Sequence, residues 1–403
     1  MRKSIKTGLL VAGILLIATN LRAPITGVAP LLAMISESLL LSTTQAGLLT
    51  TLPLLAFALV SPIASYLAKE YGLEPSIMGA LSVIAVGILI RSSGSVSALY
   101  LGTVIIGCGI AIGNVLLPSL LKRDFPARIS TFTAVYVLTM GIGSAISSAI
   151  AVPLAQFDDK GWAFSMGCFI VIPLLSMALW FPQMKNHTQP AEDTLGLPHG
   201  GKVWRSPLAW QVTFFLGLNS FISYIIIGWL PTILIDAGYS ASQAGAMHGL
   251  LQLSTAIPGL LLIPALARLK DQRGLAFGVS VAAMLGILGL LYLPEFALLW
   301  TLIFGFGAGA GLILGLSFIS LRTDNSHQAA ALSGMSQSIG YLLAAMGPAL
   351  VGSIYSATNS WVIPLVLCAS GCGFCALFGL FAGRGLTINA QLSAGCEKAV
   401  QVT

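Results

Sequence analysis

Hydrophobic positions in this chain fall into twelve long runs, which are separated by short segments rich in glycine, proline or charge. A helix needs about 20 apolar residues to cross the roughly 30 Å hydrocarbon layer of a bilayer. The runs have about this length, so they predict an all-α membrane protein with twelve transmembrane helices, here named spans one to twelve. The spans cover residues 8–33, 44–68, 75–91, 98–121, 130–153, 162–182, 208–235, 242–266, 275–293, 297–320, 329–356 and 362–382.

Composition supports the same class. Of 403 residues, 56% are hydrophobic and only 8% are charged, whereas soluble domains carry about 25% charged residues. Nucleic-acid binding, secretion and intrinsic disorder are therefore excluded, and the lipid bilayer is the expected surrounding. The basic residues before span one resemble a secretory signal, but the run is too long and lacks an A-x-A exit, so we expect span one to stay uncleaved.

Basic residues are distributed asymmetrically between the two sides of the predicted membrane. If the N-terminus is cytoplasmic, the inner loops and tails hold 16 of the 19 Lys and Arg residues. Such an excess is typical of cytoplasmic loops. We therefore expect a multi-pass protein of the bacterial cell (inner) membrane, with both termini cytoplasmic.

One long polar segment divides the spans equally. Residues 183–207 lie between spans six and seven and are rich in charge. The predicted domains are an N-terminal six-helix half at 1–182, a cytoplasmic linker at 183–207, a C-terminal six-helix half at 208–382 and a cytoplasmic tail at 383–403.

The two halves also carry an internal repeat. Gln45-Ala46-Gly47 opens span two and Gln243-Ala244-Gly245 opens span eight, 198 residues later. The same offset relates the glycines at 107, 109 and 113 in span four to those at 305, 307 and 311 in span ten. Several matches at one offset predict two pseudo-symmetric six-helix halves, a layout found in membrane transporters.

Arg22 is the exceptional charge. All 13 carboxylates can be placed at helix ends or in loops, which disfavours a carboxylate proton relay. Arg22, by contrast, lies about 21 Å into span one, where facing lipid would cost about 3 kcal/mol or more. We expect it to face a polar cavity and to bind a ligand, carbonyl dipoles or water; the alternative is an Arg that ties helices together through backbone carbonyls.

Two prolines follow Arg22 in the same span. Pro24 and Pro30 cannot donate to the carbonyls of Asn20 and Thr26, so the outer half of span one should be kinked. Broken helices are tolerated in membranes where they line a cavity. Thr26 should lie one turn above Arg22 on the same face, whereas Asn20 should point roughly 160° away, toward a neighbouring helix.

Further polar residues lie at similar depth in other spans. Each of these side chains either makes a hydrogen bond to a neighbouring helix or contacts a ligand. Because they lie at one depth in the membrane, a shared binding site is favoured. His248 is the intramembrane group that titrates near neutrality; an ordinary hydrogen bond is favoured for it over proton coupling. The predicted substrate-binding residues are Arg22, Asn20, Thr26, Asn114, Tyr136, Asn219, Tyr224, Trp229, His248, Gln252, Gln337 and Tyr341.

Motifs for chemistry are missing from the sequence. No Walker motif, nucleophile elbow or metal-ligand cluster is present, so we expect neither an enzyme nor ATP-driven transport by this chain. Cys368, Cys372 and Cys375 share one apolar run and are interpreted as small packing residues rather than metal ligands. We predict no cofactor.

Several motifs together carry a family resemblance. Residues 20–26 (NLRAPIT), 113–118 (GNVLLP) with 122–126 (KRDFP), 209–213 (AWQVT) with 229–231 (WLP), and 328–334 (QAAALSG) with 337–341 (QSIGY) resemble the cyanate and 2-nitroimidazole porter family of the major facilitator superfamily. The resemblance covers essentially the whole chain. It implies the major facilitator fold and movement of small planar solutes, with the 2-nitroimidazole exporters as the nearer branch. The loop at 68–72 (AKEYG) departs from the acidic-basic signature of the superfamily in its charge order.

These observations predict a monomeric secondary transporter that works by alternating access on a small-molecule substrate. Arg22 would orient an anionic or dipolar group, such as cyanate or a nitro group. Tyr341, Tyr224 and Trp229 would contact a planar solute, and protons are a candidate coupling ion. The alternatives are a passive channel, which would lack saturation and counterflow, an uptake carrier for a small organic anion, and a membrane-embedded enzyme.

Overall fold

The computed structural model describes residues 2–125, 129–185, 201–259, 261–262, 269, 271–324 and 326–389, and all regular elements in these ranges are helices. Eleven candidate spans in this part of the chain are long and apolar enough to cross a membrane. The all-α membrane fold is therefore confirmed.

Nine spans form one long helix each. They are, in chain order, spans two, three, four, five, seven, nine, ten, eleven and twelve: Thr43–Tyr71, Leu73–Arg91, Val96–Asp124, Ile129–Ala155, Pro207–Asp236, Arg273–Tyr292, Ala297–Leu321, Ser326–Thr358 and Val362–Ala382.

Span one is broken, as its prolines predict. A first helix ends at Asn20, residues 21 and 22 form a turn, and a four-residue helix continues over Ala23–Thr26. A 3-10 turn and a final helix complete the span at Ala29–Leu31 and Leu32–Leu39. Since Pro24 and Pro30 each lack an amide hydrogen, the regular hydrogen-bond ladder cannot cross these positions.

Span six and the connection between spans two and three differ from the sequence prediction. Span six is not one helix but two, Trp162–Cys168 and Val171–Trp180, followed by a 3-10 turn at Phe181–Lys185. The predicted connection at 69–72 is wrong, because the helix of span two runs to Tyr71. Gly72 alone links it to span three, and its φ of 90° lies in a region that glycine adopts without steric cost.

Span eight is helical over Ala241–Ala256, and residues 260 and 263–266 of its predicted continuation lie outside the described residues. The same holds for 186–200 of the linker and 390–403 of the tail. A short helix, Gly201–Arg205, precedes span seven. The domain boundaries at 183–207 and 383 stay a prediction.

Backbone contacts group the chain into two compact units. The first comprises Met1–Glu192, Ile226–Ala256 and Pro348–Asn359, and the second comprises Asp193–Ile225, Ile257–Gly347 and Ser360–Thr403. Within the first unit, span eight packs against span five, and span three against span four. Within the second, span nine packs against spans ten and twelve.

The internal repeat extends to hydrogen bonds. In span two, the Ser42 amide donates to Gln45 Oε1 at 2.9 Å and the Gln45 amide donates to Ser42 Oγ at 3.3 Å. Ser240 and Gln243 form the same reciprocal pair before span eight, at 3.0 and 3.2 Å. This arrangement is a capping box, which satisfies two amides at a helix start. The repeated glutamines therefore mark two equivalent helix beginnings.

Glycine contacts repeat as well. A Cβ built on Gly87 would lie 2.7 Å from Ile106 Cγ1, and one built on Gly286 would lie 2.7 Å from Phe304 Cβ. These pairs are related by offsets of 199 and 198 residues. In each half, glycine thus lets two neighbouring helices approach closely, as is common in membrane proteins.

A buried arginine follows span ten at the position equivalent to Arg123 after span four. Arg123 contacts the buried carboxylate of Glu74 at 2.8 Å and pairs with Asp124. Burial opposes the charge of Arg123, but the hydrogen bonds and attraction of Asp124 and Glu74 outweigh it and raise its pKa. Arg322 instead contacts the neutral Gln272 and the carbonyl oxygen of Ala382, and burial lowers its pKa.

Candidate functional site

Arg22 lies at the break in span one. Its backbone carbonyl accepts hydrogen bonds from the amides of Ile25 and Thr26, both at 3.0 Å, so it begins the four-residue helix that follows. The preceding helix ends two residues earlier, at Asn20. The side chain therefore leaves the backbone where the chain changes direction.

The guanidinium of Arg22 is half-buried. Among the residues that the structure describes, no hydrogen bond or ion pair joins its side chain to another group. An Arg side chain has five N–H donors in a planar fork and no acceptor. Its donors are thus not used by the described residues, and its role in binding an anion or a dipole stays a prediction.

Arg91 touches the same break from span three. Its Nη1 donates to the carbonyl oxygen of Pro24 at 2.7 Å. The side chain is 1% exposed, although the sequence placed it simply at the outer end of its span. The break is therefore bordered by two arginines, one half-buried and one fully buried.

Asn20 points away from Arg22, toward span six. Its Nδ2 donates to Ser176 Oγ at 2.6 Å and to the Leu16 carbonyl at 2.9 Å. The residue is fully buried, and its Oδ1 has no partner among the described residues. The expected contact with a neighbouring helix is present, and the role of Asn20 in binding solute stays a prediction.

Thr26 contacts span five. Its hydroxyl lies 3.1 Å from Ser147 Oγ and donates back to the Arg22 carbonyl at 3.2 Å. Its own carbonyl, which Pro30 cannot satisfy, accepts a hydrogen bond from Ser148 Oγ at 3.3 Å. Ser148 thus compensates for the missing helical hydrogen bond, whereas Ser147 contacts the Thr26 side chain.

His248 continues this chain of hydrogen bonds into span eight. Its Nδ1 lies 3.0 Å from Ser148 Oγ, and its Nε2 lies 3.3 Å from Gln252 Nε2. Ser148 Oγ thus links the Thr26 carbonyl to the His248 ring, and the other ring nitrogen lies next to the Gln252 amide.

The chain from Thr26 through Ser148 and His248 to Gln252 is sealed from solvent. His248 and Gln252 are both 0% exposed, and Gln252 Oε1 has no partner among the described residues. Ser148 thus links spans one, five and eight by hydrogen bonds, and Gln252 contacts His248 within span eight. Direct contact with a solute stays a prediction for Thr26, His248 and Gln252.

Trp229 is also buried in the first unit, at 2% exposure. Its indole Nε1 donates to the Pro348 carbonyl at 2.9 Å, and its Cζ2 lies 3.0 Å from where a Cβ on Gly352 would be. In this conformation the ring is packed against backbone, so it presents no open face to a planar solute.

Two predicted residues of spans four and five are more accessible. Asn114 is exposed and Tyr136 is half-buried. Neither is hydrogen-bonded to a residue within the described ranges. Both keep free polar groups, and their binding role stays a prediction.

The other predicted residues belong to the second unit. Asn219 is 8% exposed, and its Nδ2 donates to the Ala308 carbonyl at 3.1 Å. Together with Ser223, Ser280 and Cys375 it lines a small cavity, with room for roughly one water molecule. Asn219 thus makes a hydrogen bond between two helices and lies beside this small cavity.

Tyr224, Gln337 and Tyr341 are half-buried in this unit. Gln337 Nε2 donates to Ser333 Oγ, one turn earlier on the same helix, at 2.7 Å. Tyr224 and Tyr341 each have a polar or ring contact. Their shared role with Asn219 stays a prediction.

The structure thus brings together Thr26, His248 and Gln252, and it places Arg22 one helical turn from Thr26. The sequence prediction missed Ser148, which links them, and it missed the inward direction of Arg91. A signal for Ser148 exists, since Ser144, Ser147 and Ser148 interrupt an otherwise apolar run.

The cysteines of span twelve pack inside the second unit. Cys368, Cys372 and Cys375 are buried, and Cys375 Sγ donates to the Phe215 carbonyl at 3.5 Å. In the described part of the chain, no group of three or more His, Cys, Asp or Glu could hold a metal ion.

Comparison with known proteins agrees with this architecture. The family model described as Major Facilitator Superfamily matches residues 10–348. The 2-nitroimidazole transporter of Escherichia coli (strain K12) is 53% identical over 94% of this chain and 96% of its own length. The cyanate transport protein CynX of the same organism is 29% identical over 87% of this chain and 91% of its own.

Solved structures share the fold at low sequence identity. A D-xylose-proton symporter matches with a TM-score of 0.77 and 13% identity, over 94% of this chain and 99% of that one. At this identity the match bears on the fold alone. The resemblance of the sequence to the cyanate and 2-nitroimidazole branch is confirmed by the two relatives above.

Proposed function

The chain belongs to the Major Facilitator Superfamily, and from this premise we propose that it carries a small planar solute with an anionic or dipolar group. Nitroimidazoles and cyanate are the solute classes named for its relatives. Transport proceeds by alternating access, in which one site opens to each side of the membrane in turn.

The free guanidinium of Arg22 carries the proposal. A planar fork of N–H donors matches two oxygens of a nitro group or the charge of an anion. In a membrane site of low dielectric these hydrogen bonds are stronger than in water. Because no described residue uses the donors of Arg22, solute binding would not first require breaking a bond within the protein.

The surrounding helix supports this role. The break at residues 21 and 22 leaves backbone groups without the hydrogen bonds that they would make in a continuous helix. Asn114 and Tyr136 add accessible polar groups on spans four and five. Within the first unit, Asn20, Thr26, His248 and Gln252 support the site rather than contact the solute in this conformation.

The direction of transport proposed here is export across a bacterial inner membrane, with both chain termini in the cytoplasm and one chain as the working unit. Protons are the proposed coupling ion. A counterflow experiment distinguishes a carrier from a passive channel. In liposomes preloaded with unlabelled solute, a carrier accelerates the entry of labelled solute, whereas a channel does not.

Purified protein reconstituted in liposomes provides the test. We expect Arg22→Ala to abolish saturable movement of 2-nitroimidazole, a loss of about 100-fold or more, because a buried charged hydrogen bond is worth about 1.5–3 kcal/mol and orientation is lost as well. Arg22→Lys keeps the charge but not the fork, so it should recover little of the activity.

Arg273→Ala is the matched control. This arginine is exposed and pairs with Asp271 at 2.6 Å, so its loss should leave transport unchanged. A parallel thermal-shift series with cyanate, nitrate, carboxylates and nitroimidazoles identifies the solute class. Normal transport by Arg22→Ala, in protein inserted at the normal level, would refute the proposal.

A further inference from the structure

Arg91 is a buried arginine that no part of the proposed transport cycle uses. It is the last residue of the helix of span three, and the next four residues include the exposed Ser93, Gly94 and Ser95. The chain therefore reaches water within a few residues of Arg91, and a long side chain at such a position can extend to that water. Arg91 instead turns inward and is 1% exposed.

Burying a guanidinium without a carboxylate is costly. No ion pair to Arg91 is found among the described residues, and its Nε and Nη2 have no partner there. Its one hydrogen bond goes to the Pro24 carbonyl. An unfavourable arrangement of this kind is retained where it serves a purpose beyond packing.

The Pro24 carbonyl is a specific target. In a regular helix it would accept the amide of Val28, but that amide donates to Ile25 at 3.2 Å instead. Arg91 Nη1 supplies the missing donor from a different span. The contact therefore stabilises the irregular backbone and would be lost if span one became a continuous helix.

Pro24 and Arg22 are parts of one short rigid element. The helix Ala23–Thr26 has Arg22 at its beginning, and the Arg22 carbonyl accepts the amides that follow Pro24. Fixing the Pro24 carbonyl thus fixes the orientation from which the Arg22 side chain extends. On the other side, a Cβ on Gly102 would lie 2.6 Å from Arg91 Cβ, so close packing of span four holds Arg91 itself.

We propose that Arg91 is a positioning residue: through the Pro24 carbonyl it holds the break in span one in the geometry that presents Arg22 to the solute. This inference rests on the proposed function of Arg22. Span three would then take part in solute recognition, although it does not contact the solute.

The test compares Arg91→Met and Arg91→Lys in the full chain, with 2-nitroimidazole as the probe in liposomes. Met removes every donor, so we expect the KM to rise about tenfold or more, with a smaller change in the maximal rate per folded molecule. Lys can still donate to one carbonyl, so Arg91→Lys should stay within about threefold of the wild-type KM.

Arg322→Met is the matched control, because Arg322 is also buried and bound to backbone carbonyls, but in the second unit. It should lower the yield or the melting temperature and leave the KM unchanged. If Arg91→Met does not fold, Arg91→Gln serves instead, since a neutral amide is cheaper to bury and is too short to reach Pro24; its KM should rise likewise.

The outcomes separate this inference from the proposed function. An unchanged KM in Arg91→Met or Arg91→Gln, with Arg22→Ala inactive, overturns the positioning role alone. A defect in Arg91→Lys as large as that in Arg91→Met also overturns it, because the single hydrogen bond would then not be the cause. Normal transport by Arg22→Ala overturns the proposed function itself.

Discussion

Spans one and seven occupy equivalent positions in the repeat and differ in their chemistry. Leu21 of span one packs against Gly113 of span four, and Asn219 of span seven packs against Gly311 of span ten. Both pairs are related by the offset of 198 residues. Span one is broken beside Arg22, whereas span seven is one helix of 30 residues.

At this pair of positions the repeat keeps the packing of the helices but not the polar groups. Asn219 donates to the Ala308 carbonyl within its own unit. Arg22 has no hydrogen bond to a described residue. The half with the broken helix therefore keeps a free charge for a ligand, and the half with the intact helix uses its amide for stability.

The largest effect is expected from making span one resemble span seven. Replacing Pro24 and Pro30 together by Ala restores two backbone donors, and removing a helix-interior proline relieves about 3 kcal/mol of disruption in a continuous helix. We expect span one to straighten, Arg22 to change direction and transport to fall about tenfold or more. Uptake of labelled 2-nitroimidazole into liposomes measures this.

Pro231→Ala is the matched control, because Pro231 lies inside the continuous helix of span seven. It should change transport by less than about threefold. Equal losses in the two variants would show that the break in span one has no special part in transport.

A smaller effect is expected at the two equivalent glycines. A Cβ on Gly311 would clash with Asn219, whose Cγ would be 2.9 Å away, and would displace the amide from Ala308. Gly311→Ala should therefore lower the free energy of unfolding by about 1–3 kcal/mol. At Gly113 the Cβ would meet only the flexible end of Leu21, so Gly113→Ala should cost about 1 kcal/mol or less.

Thermal or denaturant unfolding in detergent measures both variants. A Gly113→Ala protein that is as unstable as Gly311→Ala would contradict the view that Asn219 stabilises its half through a specific hydrogen bond.

The smallest effect is expected at His248, which contacts the broken span through Ser148. Gln at this position can donate to Ser148 in the same way but cannot titrate. His248→Gln should keep transport within about threefold and leave its pH profile unchanged. A flattened profile between pH 5 and 8 would assign a proton-coupling role to His248.

Much of the fold could be predicted because the signals were local. The two prolines at 24 and 30 favoured a broken helix, and helical geometry placed Asn20 toward a neighbour, which is Ser176. These inferences depend on the chain near each residue and not on its partners.

The rest depended on tertiary contacts. Serine in a membrane helix commonly bonds to its own backbone, so the three serines of span five did not reveal that Ser148 links Thr26 and His248. An arginine at a helix end can extend to water or fold inward, and the sequence does not distinguish the two for Arg91. The single-residue connection at Gly72 was missed because charge and tyrosine at 69–71 resemble a loop.

Span eight approaches span five closely at two glycines. A Cβ on Gly249 would lie 2.6 Å from the Ala145 carbonyl oxygen, and one on Gly245 would lie 3.1 Å from that of Ser148. Any larger residue at Gly249 would therefore push the two helices apart and lengthen the hydrogen bond that joins the imidazole of one helix to the hydroxyl of the other.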